Sequence, residues 1–411
     1  MSIGKDEQAA QYLKQCAAEQ QLDIDGARIR RTSSRFCLGV EHGDYNGTEL
    51  FGVGTDRFIW QAFKPNGTGH VRLFSANFPE DGLIEFSADE VPAPRSVTDS
   101  WARFPLGVAY ILREAGYDLS GGFDGVVYGN IPGGGMSRSA SLSLNLILTM
   151  LEVNQTPVED DFAIIDMAQA VENKYIGSPC GQLDQVMIYF AKAGMATRYN
   201  PASRSIEYIA LGGGAGQFKI VSLDTGTVRP GLEKSTYRIR RAECEQLVDL
   251  ARRQGYEISC LADVKEQRVF DSLVETFVGD YPDLCRRLGY IYQAQKRFDD
   301  MIAAWQAGDI EKVGAIFRAD GIGLRDDYDI SGPELETMCD IARTVEGVFG
   351  ERMLGGGDKG ASGAIVASDA VGRLRAAVDR AYPRSHPQFA QDYAVHTCDI
   401  VDGIKVLENL L

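Results

Sequence analysis

A glycine-rich loop between a strand-like segment and a long apolar helix sets the strongest limit on what this chain can fold into. Residues 123–131, FDGVVYGNI, are typical of a buried strand, and Leu142, Leu146 and Met150 follow at helical spacing. The glycines at 133–135 allow a tight backbone turn between this strand and the helix. Free N–H groups at a helix start, together with the helix dipole, bind anions. The pattern therefore predicts a site for phosphates, such as those of a nucleotide.

This segment alone leaves a second interpretation open, in which a glycine turn simply precedes a serine-capped helix. The loop is not a Walker A loop, because GGGMSRSAS lacks the Gly-Lys-Ser/Thr ending. It is not a Rossmann fingerprint either, since no acidic residue ends a second strand at the expected distance.

The rest of the chain indicates an α+β protein of two domains. The 411 residues are enough for two domains of roughly 200 residues each. Residues 28–86 are typical of short strands, 236–254 and 260–319 of helices with a break near Tyr281-Pro282, and the segment after 350 of strand, glycine turn, strand and helix. The turn at Asn200-Pro201 and the glycines at 212–214 suggest a boundary near residues 200–215, with a cleft between the domains.

Charge and composition disfavour several classes of partner. The formal net charge of −16 disfavours nucleic acid and anionic membranes, which bind clustered Lys and Arg. No apolar run of about 18 residues is present, and the polar start lacks a signal-peptide pattern, so a cytoplasmic location is expected. Eight cysteines without a CxxC pair and four histidines predict reduced thiols rather than a zinc cluster or a disulfide scaffold.

Five segments in the right order resemble the GHMP kinases, and within them the galactokinases. GGGMSRSAS is similar to the second GHMP motif, SSRFCLGVEHGDYNG to the first, and RMLGGGDKGASGAIV to the third. PCGQLDQ and STYRIRRAECE resemble two further galactokinase segments, so the likeness extends over residues 28–400. It implies an N-terminal mixed-sheet domain with a nucleotide-binding glycine loop at 1–205, a C-terminal ferredoxin-like α/β domain at 215–411, and an active site in the cleft. Either a monomer or a homodimer is compatible with it.

The resemblance also implies roles for individual residues in ATP-dependent phosphorylation of the anomeric hydroxyl of a galactose-like sugar. Asp184 would position or deprotonate that hydroxyl, and Arg35 would lie beside it and stabilise the transferred phosphoryl group. Ser139 and Glu172 would hold Mg²⁺, a cation that prefers oxygen ligands. The residues implied for the nucleotide are Gly133, Gly134, Gly135, Ser137, Arg138, Ser139 and, near the adenine, Trp101. The residues implied for the sugar are Glu41, His42, Asp44, Gly181 and Tyr237.

Departures from the family pattern leave the sugar open. Thr32-Ser33-Ser34 replaces the usual Ala-Pro-Gly of the first motif, and Arg138 replaces the middle serine of the second. Asp358-Lys359-Gly360-Ala361 stands where Phe-Gly-Gly-Cys is common, so that Lys359 would add a cation near the phosphates.

Galacturonate and arabinose 1-kinases share the expected architecture, but a uronate would require a cation near carbon 6, where Asp44 is unfavourable. A catalytically inactive sugar sensor and a GHMP enzyme acting on a non-sugar alcohol are the alternatives from other classes.

Overall fold

The protein is built around two β-sheets. The computed structural model describes residues 4–411 except 89, 95, 98, 99, 228–235 and 409. The strands of the first sheet are β1 (Arg28–Gly39), β2 (Leu50–Pro65), β3 (His70–Ser75), β4 (Leu83–Ser87), β5 (Phe123–Gly129), β6 (Met195–Asn200), β7 (Ser205–Ala210) and β12 (Ile404–Leu407). The strands of the second are β8 (Phe218–Asp224), β9 (Val348–Met353), β10 (Ala361–Ala367) and β11 (Ala394–Cys398).

The first sheet is mixed, as predicted. Its order is β12-β1-β2-β5-β3-β4, and β6 pairs with both β2 and β7. The strands pair antiparallel except β3 and β5, which run parallel because the chain crosses back between them. Long β1 and β2 pair from Arg28 with Phe63 to Gly39 with Phe51, and this pairing fixes the position of Arg35 opposite Gly54.

The second sheet has the strand order β11-β8-β10-β9, and all three pairings are antiparallel. Numbered along the chain, this is the 4-1-3-2 order of a ferredoxin-like domain, so the predicted fold class is confirmed. Residues 354–360 connect β9 to β10 and form the predicted glycine turn. We call this connection the C-terminal glycine loop.

Helices cover the sheets and follow the predicted pattern in part: the stretch 260–319 is interrupted a second time, at Gly308-Asp309, where Gly308 has a left-handed backbone (φ 74°) and Asp309 caps the next helix. The expected break at Tyr281-Pro282 separates two of them, because proline begins a helix well but cannot continue one. Within the described residues, none of the helices is long and apolar enough to cross a membrane. The helices are α1 (Lys5–Glu19), α2 (Arg103–Glu114), α3 (Arg138–Val153), α4 (Asp161–Ala170), α5 (Leu183–Tyr189), α6 (Thr236–Arg253), α7 (Gln267–Phe277), α8 (Pro282–Ala307), α9 (Ile310–Asp326), α10 (Pro333–Arg343) and α11 (Val371–Ser385).

The chain passes between the sheets twice. The turn at Asn200-Pro201 lies within the β6–β7 hairpin, and the crossing to the second sheet is made by residues 211–217, which include the glycines at 212–214. After β11 the chain returns, and β12 pairs with β1, with Leu407 opposite Ile29. The division into domains 1–205 and 215–411 stays a prediction.

Candidate active site

One cavity of about 360 Å³ lies where β1, the loop after β5, the start of α5 and the C-terminal glycine loop meet. It is lined by every residue that the resemblance implied for catalysis, Mg²⁺, the nucleotide or the sugar, but not by Lys359. These are Arg35, Glu41, His42, Asp44, Trp101, Gly133, Gly134, Gly135, Ser137, Arg138, Ser139, Glu172, Gly181, Asp184 and Tyr237. Their common location follows from the fold, and their individual roles stay predictions.

Arg35 and Asp184, which both line the cavity, are in direct contact. Arg35 donates from Nε and Nη2 to the same Asp184 oxygen, Oδ1, at 2.8 and 2.6 Å. Its Nη1 donates to the carbonyl of Gly135 at 3.1 Å, so the pair is joined to the glycine loop. Burial opposes the charge of Arg35, but Asp184 and Glu41 outweigh it and raise the arginine pKa above its ordinary value. Arg35 therefore stays cationic in the site.

The glycine loop before α3 packs directly on the C-terminal glycine loop. A Cβ on Gly134 would lie 2.6 Å from the Cα of Gly360, so only glycine permits this approach. Ser137 adopts a left-handed backbone conformation (φ 60°) and makes no side-chain capping bond to α3. Its hydroxyl is buried, and no hydrogen-bond partner is found for it within the described part of the chain. The uncapped helix start and this hydroxyl together favour an anion site over the serine-cap interpretation.

Ser139 and Glu172 form an oxygen pair beside the Arg35–Asp184 contact. The Ser139 hydroxyl donates to Glu172 Oε2 at 3.1 Å, and Glu172 lies in a π-helical turn, Val171–Ile176. Burial and the nearby charge of Asp184 raise the pKa of Glu172 to about 8, although the Ser139 hydrogen bond opposes this. A buried carboxyl with a raised pKa and an adjacent hydroxyl fits a hard cation, because the positive charge of the cation would stabilise the carboxylate form of Glu172. Two protein oxygens suit Mg²⁺, since that ion usually keeps several waters and substrate phosphates as its other ligands.

The residues Glu41, His42 and Asp44, which we call the turn cluster, follow the end of β1. His42 has a left-handed backbone (φ 61°), and its Nδ1 lies 2.9 Å from the hydroxyl of Tyr45. The Asp44 carboxylate accepts from the backbone N–H of Leu183 at 3.2 Å, next to Asp184. Burial raises the pKa of Asp44 to about 6 despite this bond. The arrangement presents carboxylate and imidazole groups on a rigid turn, which suits recognition of hydroxyl groups.

Two neighbours fix the turn cluster in place. Gly181 touches it so closely that a Cβ there would lie 2.0 Å from Asp44 Oδ2. The ring of Tyr237 is buried and lies 5.3 Å, centre to centre, from His42. Residues 228–235, which precede Tyr237, lie outside the described residues.

Aromatic side chains line the other end of the cavity. Trp101 is buried and lines the cavity, as do Phe78 and Phe104, and no hydrogen-bond partner is found for its indole N–H within the described residues. The Arg138 guanidinium lies 5.5 Å from the centre of the Phe78 ring. Aromatic lining residues, an indole N–H without a partner among the described residues and a nearby cation suit a nucleotide base and its phosphates.

Sequence reasoning missed Phe78 and Phe104, which line this end of the cavity. Phe104 lies one helical turn after Trp101, a spacing that could have indicated it. Nothing in ANFPED marked Phe78.

Lys359 does not take the place expected from the third motif. Its ammonium lies 3.8 Å from the carboxylate of Glu334, and Lys359 is not among the residues that line the cavity. Asp358, the preceding residue, has a left-handed backbone (φ 64°). Gly355 and Gly356 line the cavity instead, so this loop contributes backbone rather than a cation.

Comparisons with known proteins agree with this geometry. A family model described as the GHMP kinases N terminal domain matches residues 103–192. Galactokinase of Streptococcus mutans is 33% identical over 91% of this chain and 93% of its own length, and that of Bacillus subtilis is 32% identical over 94% and 96%. The crystal structure of Lactococcus lactis galactokinase complexed with galactose gives a TM-score of 0.88 at 28% identity, covering 97% of this chain and 100% of that one.

A more distant likeness, to Methanococcus jannaschii mevalonate kinase, has a TM-score of 0.64 at 15% identity and covers 91% of this chain and 98% of that one. It concerns the fold alone. The galactokinase matches, by contrast, cover 91–97% of this chain at 28–33% identity. The chain therefore belongs to the galactokinase family of GHMP kinases and is an ATP-dependent sugar kinase.

Proposed function

We propose that the protein transfers the γ-phosphoryl group of ATP to the anomeric (C1) hydroxyl of galactose. The observation that carries the proposal is the Arg35–Asp184 contact, which lies between the glycine loop and the turn cluster. Nucleotide phosphates at the glycine loop and a sugar at the turn cluster would bring the two reacting groups together at this contact. The cytoplasm, where ATP is plentiful, is the proposed location.

Phosphoryl transfer mainly requires two oxygens in line with phosphorus and neutralisation of the moving charge. Asp184 orients the C1 hydroxyl and accepts its proton as the new O–P bond forms and the bond to the β-phosphate breaks, so that ADP leaves. Arg35 holds the Asp184 carboxylate in place and stabilises charge on the transferred group. Ser139 and Glu172 would hold Mg²⁺, which neutralises phosphate charge when bound.

The charges around the turn cluster favour a neutral sugar. Among the described residues, Arg35 and Arg138 are the cations that line the cavity. Arg35 already donates to Asp184, and Arg138 lies over the Phe78 ring, so neither is positioned to pair with a sugar carboxylate. Asp44 would repel the carboxylate of galacturonate. Arg241, which lies near Tyr45, is paired with Glu245. Galactose, which the Lactococcus lactis relative binds, is therefore proposed ahead of galacturonate.

The proposal is tested by ADP release from purified protein with Mg²⁺-ATP and a panel of sugars and alcohols. The panel contains galactose, arabinose, galacturonate, glucose, galactosamine and mevalonate. We expect galactose to give the highest kcat/KM. Higher turnover with galacturonate or arabinose would replace the substrate assignment. Absence of turnover, together with a galactose-dependent rise in melting temperature, would indicate that the protein is a sugar sensor rather than a kinase.

The pH dependence of sugar use should report Asp44. Its raised pKa means that the free protein carries a neutral Asp44 carboxyl below about pH 6 and a carboxylate above it. If the carboxylate binds sugar hydroxyls, kcat/KM for galactose falls roughly tenfold per pH unit below that value. Steady-state kinetics from pH 5 to 8 measure this, and Asp44→Asn should lose both the acid limb and most sugar affinity. An acid limb of the same shape in wild type and Asp44→Asn would contradict the assignment.

Arg138 is expected to contribute to ATP binding. A charge-assisted contact with a phosphate is worth about 1.5–3 kcal/mol when buried and less where solvent reaches it, so Arg138→Ser should raise KM for ATP roughly fivefold. The sugar KM should stay constant, because Arg138 lies at the aromatic end of the cavity. Arg253→Ser, at the exposed end of α6, is the matched control. An unchanged ATP KM in Arg138→Ser would remove Arg138 from the nucleotide site.

A further inference from the structure

A row of charges of alternating sign, buried except at its two ends, runs from α8 and α9 to the cavity. It begins at Arg297 and Asp320, which pair at 2.8 Å, and passes to Arg352 on β9. Arg352 then pairs with Glu41 at 3.1 Å, while its other terminal nitrogen lies 3.9 Å from Asp320. From Glu41 the row continues to Arg35 and Asp184.

Arg352 links the part of this row outside the cavity, Arg297 and Asp320, to the part that lines it, Glu41, Arg35 and Asp184. Its side chain is fully buried, does not line the cavity, and stacks 4.3 Å from the centre of the Phe317 ring. Within the described part of the chain only its Nη2 makes hydrogen bonds, and these go to the carbonyl of Cys37 at 2.9 Å and to Glu41. Arg352 lies in the second sheet, but it donates its hydrogen bonds to the end of β1 and to the turn cluster of the first.

Glu41 lies near two arginines, Arg35 and Arg352. Which of them it pairs with affects Arg35, which contacts Asp184. Its Oε2 accepts from Arg352 at 3.1 Å, whereas its Oε1 lies 3.7 Å from Arg35, beyond hydrogen-bond distance. Arg35 instead donates two bonds to Asp184. Without Arg352, the buried Glu41 carboxylate would have Arg35 as its nearest cation, and attraction in a dry site is strong.

We propose that Arg352 is a positioning residue that holds Glu41 in the turn cluster and thereby keeps Arg35 bonded to Asp184. The inference rests on the proposed roles of Arg35 and Asp184 in phosphoryl transfer. It assigns to the arginine of the third motif a role in sugar phosphorylation without contact with either substrate. Tyr290, which donates to the Glu41 carbonyl at 2.9 Å, fixes the backbone of the same residue, so that the side chain is what Arg352 controls.

The test is a double-mutant cycle on kcat. Arg352→Met should lower kcat about 30-fold in the wild-type background, because Glu41 moves onto Arg35. In the Glu41→Gln background the same change should lower kcat less than about 3-fold, since a neutral amide competes poorly for a guanidinium. Arg352→Lys keeps the charge and should stay within about 5-fold of wild type. Because Arg352→Met with Glu41→Gln removes both charges of the pair, it avoids an unpaired buried carboxylate.

Arg343→Met is the matched control. Arg343 pairs at 2.8 Å with Glu351, a fully buried carboxylate on the same strand β9, but neither residue lines the cavity. This variant should leave kcat within about 2-fold in both backgrounds. A purely structural role of Arg352 would lower kcat by the same factor in the wild-type and the Glu41→Gln backgrounds, and that result would overturn the inference.

The inference and the proposed function fail in different ways. If wild type turns over no sugar, the proposed function fails. If wild type is active but the Arg352→Met factor is equal in both backgrounds, only the inference fails. A crystal structure of Arg352→Met decides independently of turnover: a Glu41–Arg35 bond with a lengthened Arg35–Asp184 contact supports the inference, and an unchanged Arg35–Asp184 contact contradicts it.

Discussion

Replacing Asp184 by asparagine is expected to lower kcat at least 1,000-fold while galactose binding changes less than about threefold. An amide can still accept a hydrogen bond from Arg35, so the cavity should keep its shape, but it cannot accept the hydroxyl proton. Loss of a positioned base costs about 10²–10⁴ in rate, and the loss of orientation adds to this. Turnover is measured by ADP release, and sugar binding by calorimetry in the absence of ATP.

Asp166→Asn is the control for this variant. Asp166 is an exposed carboxylate that pairs with Arg204 at 2.9 Å, which repeats the Asp–Arg contact outside the cavity. It should keep wild-type kcat. If Asp184→Asn retained more than a tenth of the wild-type kcat, proton acceptance by Asp184 would be refuted.

The second large effect is expected from a single methyl group. Gly181→Ala would place a Cβ about 2.0 Å from Asp44 Oδ2, so either the Asp44 carboxylate or the loop before α5 must move by more than 1 Å. A misplacement of about 1 Å can cost 10²-fold in rate. We therefore expect kcat/KM for galactose to fall about 100-fold, while KM for ATP stays within about twofold of wild type.

Gly289→Ala provides the comparison. A Cβ at this position of α8 meets no atom within 4 Å, and alanine is the better helix former. This variant should match wild type in all kinetic constants. Equal losses of sugar and ATP affinity in Gly181→Ala would point to general misfolding rather than to a displaced Asp44, and unfolding curves for both variants would distinguish the two.

Local sequence patterns predicted those parts of the fold that are determined by residues close together in the sequence. The glycine loop, α3 and the helix break at Tyr281-Pro282 lie where spacing and proline placed them, because these features are set within one or two turns of chain. The ferredoxin-like second sheet came from the family resemblance rather than from periodicity. Its strands are too widely separated in sequence for a local pattern to pair them.

Apart from Phe104, what sequence reasoning missed involves contacts between distant segments. Arg352 lies more than 300 residues from Glu41, and no local motif shows that the two side chains meet. Phe78 reaches the cavity through the same kind of long-range packing. Lys359 was expected near the phosphates from its loop alone, but Glu334 at the start of α10 provides a carboxylate partner that the motif does not reveal. Residue roles could thus be proposed from motifs, whereas the residues that support them required the fold.

The pairing of β12 with β1 has a consequence for how the protein is made. β1 carries Arg35, and its partner on one side, residues 404–407, is synthesised some 370 residues later than β1 begins. During synthesis that edge of β1 therefore has unpaired N–H and C=O groups, which other chains can bind. Such a long-range pairing also slows folding, because a large loop must close before the contact forms. The strand that carries Arg35 thus lacks one of its neighbours until β12 has been synthesised, and until then this edge of β1 is open to pairing with other chains.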